Sequence, residues 1–320
     1  MKAAVYYETG QPSVFRYEDV ASPIGGSTDV VIDVEAISIE GGDTLNRAGG
    51  EMPSVPHIVG YQCAGTISAV GDDVTDRTVG QRVVATMLWG SHAEQVAVPA
   101  MLTWVIPDGA DLVACACVPV AFGTADDCLF EFGHLQSGET VLIQAGAGGV
   151  GVAAIQLAKR AGATVLATAS SDERLAKLVE LGMDHGINYS RNNWVAEVRE
   201  LTGGAGVDLV VDSVGGAVLR GSIASLRYRG RCITVGSAGR DPQLFDIGPL
   251  GASNLTLTGV FLGAEIFTPR AQALIGGLVA DVASGALRVI VDRTFPLAEA
   301  AAAHKYIESR QATGRVVLIP

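Results

Sequence analysis

The chain has 320 residues, 48% of them hydrophobic and 18% charged, with a formal net charge of −12. That length suits roughly two domains with cores of their own, and the acidic balance excludes nucleic acid or an anionic membrane as the main partner. Five cysteines (Cys63, Cys115, Cys117, Cys128, Cys232) with no Cys-x-x-Cys exclude a disulfide framework or zinc knuckle. They read as buried thiols of a cytoplasmic protein. No stretch approaches the length of a membrane span without Gly or charge, and charges and turn residues enter the N-terminus too early for a signal peptide.

Residues 1 to about 117 read as β-rich. Val30–Ile37 alternates apolar and polar residues like a half-buried strand, and short strands are expected at Ala64–Val70, Gln81–Thr86 and Ala93–Val98. Turn signals at Gly71-Asp72-Asp73 and Gly80 separate them, which suggests a compact antiparallel barrel. Leu112–Phe132 reads as mostly helical, interrupted by Pro119 and Gly123.

From there strand and helix alternate. Strands are expected at Thr140–Gln144, Thr164–Thr168, His185–Asn188, Val207–Asp212, Arg231–Val235 and Leu255–Val260. Helices are expected at Glu173–Leu181, Trp194–Leu201 and Ala217–Leu226. The fold class is therefore α/β, a doubly wound parallel sheet with ligand at the carboxyl ends of the strands, preceded by a β-barrel. The basic cluster Arg227-Tyr228-Arg229-Gly230-Arg231 reads as a solvated helix-to-strand connection. Two later helices, Pro269–Ser284 and Leu297–Ser309, lie near short strands at Val289–Arg293 and Arg315–Ile319 that can return to the first domain.

The stretch with the most chemistry in it is Thr140-Val141-Leu142-Ile143-Gln144-Ala145-Gly146-Ala147-Gly148-Gly149-Val150-Gly151, followed by a helix to Arg160. A strand running into Gly-x-Gly-x-x-Gly (Gly146, Gly148, Gly151) and then a helix is the dinucleotide fingerprint in its required context. Gly146 permits the tight turn, Gly148 lets backbone approach a pyrophosphate, and Gly151 lets the helix pack near the strand. The N–H groups at Gly149 and Val150 open the helix toward the phosphates.

These residues, with Gln156-Leu157-Ala158-Lys159 and Leu181-Gly182-Met183-Asp184, resemble the medium-chain dehydrogenases/reductases, in their zinc-independent quinone oxidoreductase and enoyl reductase branch. Asp43–Gly49, Val70-Gly71 with Gly80-Gln81-Arg82-Val83, Gly90–Glu94 and the closing Gly314–Leu318 extend the resemblance over nearly the whole chain. It implies a GroES-like catalytic domain at 1–117, completed by 267–320, around a Rossmann NADP(H)-binding domain at 118–266. It also implies a homodimer through the last Rossmann strand, whose alternating Leu and Thr suit an edge that pairs across a two-fold.

The chain departs from the zinc alcohol dehydrogenases of this superfamily at each ligand position. Glu40 stands at the place of their first Cys, Gly60-Tyr61-Gln62 replaces Gly-His-Glu, and Val120 stands near their later Cys. Three convergent ligands are needed for catalytic zinc, so no metal is expected. It departs from the zinc-free branch too, with Glu40 where Asn is usual and Asp126 where Tyr is usual. Each carboxylate is read either as a proton relay or as a hydrogen-bonded polar residue.

An NAD site needs an acid at the end of the second Rossmann strand. Here Ser170 and Ser171 stand there, and Arg174 and Tyr189 match family positions that contact a 2′-phosphate, so NADPH is expected over NADH. Ser170 with Glu173 also reads as a helix capping box, and Asp172 is within reach of a ribose. The resemblance places nicotinamide contacts at Thr124, Val214, Gly236, Ser237, Phe261, Leu262, Gly263, Arg315 and Val317.

It implies hydride transfer to the β-carbon of a conjugated carbonyl (an enone or enoyl group) or to a quinone, and the altered Glu40 and Asp126 positions also permit a biosynthetic tailoring reductase acting on a polyketide-like cyclic enone. Substrate-side candidates are Tyr61 as proton donor, Glu40, Asp43, Arg47 and His92. The plainer readings are that Tyr61 fills space, that Asp43 and Arg47 form a salt bridge, and that His92 packs in a strand. From a different class comes a non-catalytic NADPH-binding structural or sensor protein, distinguished by cofactor binding without turnover.

Overall fold

The structure, a computed structural model, describes residues 1–191, 193–241 and 246–320. It divides into two units, Met1–Val120 with Ile266–Pro320, and Ala121–Glu265.

The first unit opens with β1 (Lys2–Tyr6), β2 (Arg16–Asp19), β3 (Asp29–Ser38), α1 (Gly41–Gly49), β4 (His57–Ile58), β5 (Gln62–Val70), β6 (Arg82–Thr86), β7 (Gln95–Pro99), β8 (Thr103–Val105) and α2 (Leu112–Cys115). β3 pairs antiparallel with β5 and β7, β5 with β6, and β6 with β8. Alternation explains β3: Val30, Ile32, Val34 and Ala36 are buried while Asp33 and Glu35 face solvent. Two features have no signal in the alternation. β1, β2 and β4 form a separate three-stranded sheet, and α1 is a helix flanked by glycines at both ends. Propensity works against α1; burial of Asp43, Thr44 and Arg47 holds it in place of an apolar stripe.

Next come α3 (Pro119–Asp126), which continues into one π-type turn at Asp127–Glu131, and β9 (Thr140–Ile143), α4 (Gly149–Arg160), β10 (Thr164–Ala169), α5 (Asp172–Val179), β11 (His185–Asn188), α6 (Trp194–Leu201), β12 (Val207–Asp212), α7 (Gly216–Ala224), β13 (Leu226–Thr234), α8 (Gly248–Ala252), β14 (Thr256–Gly259) and α9 (Leu262–Glu265). Pro119 starts α3 instead of interrupting it, as its fixed φ and missing N–H allow at a first helical turn, and Gly123 lies within the helix. The six strands are all parallel, in the order β11-β10-β9-β12-β13-β14. Their near-continuous apolar runs, such as Val141-Leu142-Ile143, are buried because helices cover both faces. The order reverses beside β9, so the crevice that suits a ligand opens at the carboxyl ends of β9 and β12.

The basic cluster Arg227–Arg231 is not a connection but lies inside β13. Leu226, expected to end α7, is buried and pairs with Val207, which starts the strand early. Arg227 forms an ion pair with Asp208 and Arg231 with Glu139, so both arginines are absorbed by carboxylates of the same unit.

The chain then returns to the first unit through α10 (Pro269–Ala283), β15 (Val291–Pro296), α11 (Ala300–Glu308) and β16 (Arg315–Ile319). β16 pairs antiparallel with β3 and parallel with β15. Leu297–Glu299 forms a separate 3-10 turn ahead of α11, where a single helix was expected from Leu297. Among the described residues, no helix is long and apolar enough to cross a membrane.

Candidate functional site

In the second unit, β9 ends in the glycine turn. Its left-handed residue is Ala145, at φ 51°, and not Gly146. A non-glycine residue there costs about 1–2 kcal/mol. Gly146 is needed for space instead: a Cβ on it would lie 2.8 Å from Ala167 Cβ. A Cβ on Gly151 would lie 2.5 Å from the Ala145 carbonyl oxygen, so α4 packs directly on the turn. At Gly148 the nearest atom to such a Cβ is the same oxygen at 3.2 Å, which leaves that flank open. Gly148 is the N-cap of the twelve-residue α4 and has no side chain to cap it. The N–H groups of Gly149, Val150 and Gly151 therefore have no partner within the helix and suit a pyrophosphate.

At the end of β10, Ser171 is the N-cap of α5, accepting from the Arg174 N–H, where Ser170 was the expected cap. That frees Ser170 from capping, and its hydroxyl receives the Arg174 guanidinium at 2.7 Å. Hydroxyl and guanidinium together form a donor pair of the kind a phosphate monoester takes. Asp172, weighed as a ribose ligand, is held by Arg191 and by Asn188 Nδ2. Tyr189 is exposed on the neighbouring strand end.

The remaining cofactor candidates of this unit sit on loops and helix starts. Val214 follows β12, its N–H donating to Asp212. Gly236 and Ser237 follow β13, and Phe261, Leu262 and Gly263 lie at the start of α9, with the exposed Phe261 ring over Gly263. Thr124 is buried in α3, and Asp126 is half-buried at its end.

In the first unit, the structure brings Glu40, Asp43, Tyr61, Gln62 and Arg315 together. Glu40, the N-cap of α1, is 5% exposed; it forms an ion pair with Arg315 and accepts from Gln62 Nε2 at 2.5 Å. Arg315 also donates to Ser38 Oγ and to the Ile39 carbonyl. Burial pushes the Glu40 carboxyl up and the guanidinium pulls it back, while Glu40 holds Arg315 charged against its own burial. Arg315, expected beside nicotinamide, has its side chain paired with Glu40. Val317, on the same strand, is fully buried opposite Ser38.

Asp43 Oδ2 accepts from the Glu40 N–H at 2.8 Å, and its Oδ1 is buried with no hydrogen-bond partner. Burial raises this carboxyl well above the ordinary range, the Glu40 N–H it accepts from pulls it back, and the Glu40 charge adds to the rise. Tyr61 accepts from the Gly42 N–H, and burial followed by the Asp43 and Glu40 charges drives its hydroxyl far up. It is a neutral phenol with a proton to donate. Arg47 is 1% exposed and is bound by Glu308 and by the Gly10 and Thr44 carbonyls, so it anchors α1 to α11. His92 is also a packing residue. Its Nε2 lies 3.0 Å from that of His304, beside Phe15, and burial pushes it down to about 3.

The positions where zinc alcohol dehydrogenases carry ligands do not suit a metal here. Glu40 is committed to an internal cation, Tyr61 is a neutral phenol, and Val120 offers only its N–H, which Gln62 Oε1 accepts at 3.0 Å. Among the described residues no group of three or more His, Cys, Asp or Glu is arranged to hold one. Sequence reading missed Gln62, Ser38 and Glu308 as partners. Gln62 alone had a signal, since it stands in the altered Gly60-Tyr61-Gln62 triplet.

Residues 26–108 match the family described as alcohol dehydrogenase GroES-like domain, and residues 149–276 that described as zinc-binding dehydrogenase. The chain is 37% identical over 331 residues to a 2-haloacrylate reductase of Burkholderia sp, covering 99% of this chain and 98% of the relative. It is 34% identical over 315 residues to a quinone oxidoreductase of Pseudomonas aeruginosa, covering 97% of each. A solved mycobacterial structure complexed with NADPH superposes with a TM-score of 0.94 at 35% identity, over the whole of both chains.

Proposed function

The chain belongs to the quinone oxidoreductase-like branch of the medium-chain dehydrogenases/reductases, and from that premise we propose that it is an NADPH-dependent reductase of conjugated carbonyls or quinones that works without a metal. The observation that carries the cofactor assignment is the end of β10, where Ser170 and Arg174 stand joined at 2.7 Å in place of an acidic residue. A carboxylate there would bind ribose hydroxyls and repel a 2′-phosphate; a hydroxyl and a fixed cation do the reverse. The mycobacterial NADPH complex and the reductases of similar sequence support the same reading.

Bound NADPH supplies the hydride. In this reading the N–H groups of Gly149, Val150 and Gly151 hold the pyrophosphate, and Ser170, Ser171, Arg174 and Tyr189 surround the 2′-phosphate. Thr124, Val214, Gly236, Ser237, Leu262 and Gly263 are assigned to the nicotinamide end. Tyr61 is assigned to the substrate oxygen: a neutral phenol anchored by the Gly42 N–H can donate to the enolate that develops there. Glu40 and Arg315 keep that region electrically neutral while fixing the start of α1. Asp43 and Arg47 are assigned to holding α1, not to proton transfer.

We assign a homodimer contact to β14, the edge strand of the six-stranded sheet, and a cytoplasmic location to a chain whose five cysteines are free and buried. Sedimentation showing only monomer at micromolar concentration would reject the dimer. The function itself is tested by NADPH oxidation across quinones, 2-alkenals, cyclic enones and enoyl thioesters with product identification. Tight NADPH binding with no turnover on the whole panel would favour a binding protein instead.

A further inference from the structure

Four polar side chains of the second unit are almost fully buried and belong to neither face of the cofactor site: Gln144 (3% exposed), Thr168 (1%), Asp212 and Ser222 (both 0%). They lie just after β9 and on β10, β12 and α7, and their hydrogen bonds run in one direction. The Ala145 N–H donates to Thr168 Oγ1 at 3.1 Å, and the Thr168 hydroxyl donates to Gln144 Oε1 at 2.7 Å. Gln144 Nε2 donates to Ser222 Oγ at 3.2 Å, and the Ser222 hydroxyl donates to Asp212 Oδ2 at 2.7 Å. Asp212 Oδ1 closes the chain by accepting from the Val214 and Gly215 N–H groups, each at 2.8 Å. Each hydroxyl gives its one proton and receives one, so the order leaves no slack, and a carboxylate at the end polarises the chain toward itself.

What the chain grips is the strained part of the turn. Ala145 is left-handed without being glycine. Thr168 holds that turn twice, by its hydroxyl on the Ala145 N–H and by its carbonyl on the Gly146 N–H at 2.8 Å. The Ala145 carbonyl in turn accepts from Gly148, the N-cap of α4, at 2.8 Å. The direction of the open N–H groups of α4 is thus set by Ala145, and Ala145 is set by Thr168. At the far end, Asp212 shapes the loop whose Ser213 and Val214 carbonyls accept from Ala238 and Gly239, beside Gly236 and Ser237.

We propose that the Thr168–Gln144–Ser222–Asp212 chain is the positioning device of the cofactor site, with Thr168 clamping Ala145 so that the helix N-terminus is aimed at the pyrophosphate. The inference rests on the NADPH reading above. Thr168→Val keeps the β-branched shape and removes only the hydroxyl. It is expected to raise the Kd of NADPH about tenfold or more, while 2′-AMP, which has no pyrophosphate, binds as tightly as to the unaltered protein. Thr168→Ser keeps the hydroxyl and is expected to restore NADPH affinity. Ala145→Gly, which removes the left-handed penalty, is expected to suppress the Thr168→Val defect.

A merely structural role would weaken both ligands together. Equal loss for NADPH and 2′-AMP, no loss for either, or a failure of both Thr168→Ser and Ala145→Gly to rescue overturns the proposal. If the unaltered protein prefers NADH, the cofactor reading falls. The turn is then tested by the same variants with NADH against adenosine, and an unchanged ratio of the two overturns the clamp on its own.

Discussion

Glu40→Gln isolates the ion pair at the start of α1. Both partners are nearly excluded from solvent, at 5% and 7% exposure, and they meet in an ion pair. The substitution leaves Arg315 charged and buried, with Ser38 Oγ and the Ile39 carbonyl as its neutral acceptors. Removing one member of a buried pair costs about 3–5 kcal/mol because the other charge is stranded. The retained neutral acceptors place Glu40→Gln at the lower end, about 3 kcal/mol. Arg315→Met strands Glu40 with Gln62 as its remaining donor, and the carboxyl then takes up a proton. Removing both strands neither charge, so the double variant should be more stable than the sum of the single effects by about 2–3 kcal/mol. Urea unfolding of the four proteins measures this coupling. Single effects that add to within about 0.5 kcal/mol would refute the pair as the organising contact.

Three further outcomes follow from other parts of the structure. Arg174→Ala removes the cation beside Ser170 and should lower kcat/KM for NADPH about ten- to a hundredfold with little change for NADH; an equal fall for both cofactors would refute the phosphate assignment. Tyr61→Phe removes the assigned donor to the enolate and should lower kcat about a hundredfold. Gly42→Ala should share that defect, because the new methyl would lie 1.6 Å from the Tyr61 hydroxyl and displace it; normal turnover in both would make Tyr61 a space-filler. His92 and His304 are buried and neutral, with folded pKa values depressed below the unfolded value of about 6.5. Their contribution is complete above about pH 6.5 and is lost as the pH falls below it, for His92 toward about 3, by up to about 1.4 kcal/mol per pH unit for that ring. Urea midpoints between about pH 7 and 4 should therefore fall less steeply in a His92→Gln/His304→Leu protein than in the unaltered one. An unchanged slope would contradict the buried pair.

The alternating half of the fold was legible because its signals are local. The six parallel strands announce themselves as short buried apolar runs, and the glycine turn sits where one of them ends. The cap of α5 lay one residue away from the expected position because Ser170 and Ser171 offer the same chemistry, and only backbone geometry chooses between them. The ion pair of Arg315 went unread for a different reason. Its partner Glu40 is 275 residues away, and no periodicity links the two. The His92–His304 contact spans 212 residues, and although packing was the plainer reading of His92, its partner could not be named. α1 was invisible because a glycine-flanked helix held by a buried Asp and Arg has neither propensity nor an apolar stripe. The left-handed residue of the turn was credited to glycine by rule, whereas here the Thr168 hydroxyl holds Ala145 in that conformation.

Hydride transfer from NADPH to a conjugated carbonyl without a metal is the reaction proposed for this protein. The most direct test is turnover with NADPH carrying deuterium on the transferable C4 position, on a cyclic enone, in the presence of a strong metal chelator. Undiminished turnover and deuterium on the β-carbon of the saturated ketone are expected. Turnover abolished by the chelator, or deuterium on the carbinol carbon of an alcohol product, would contradict it.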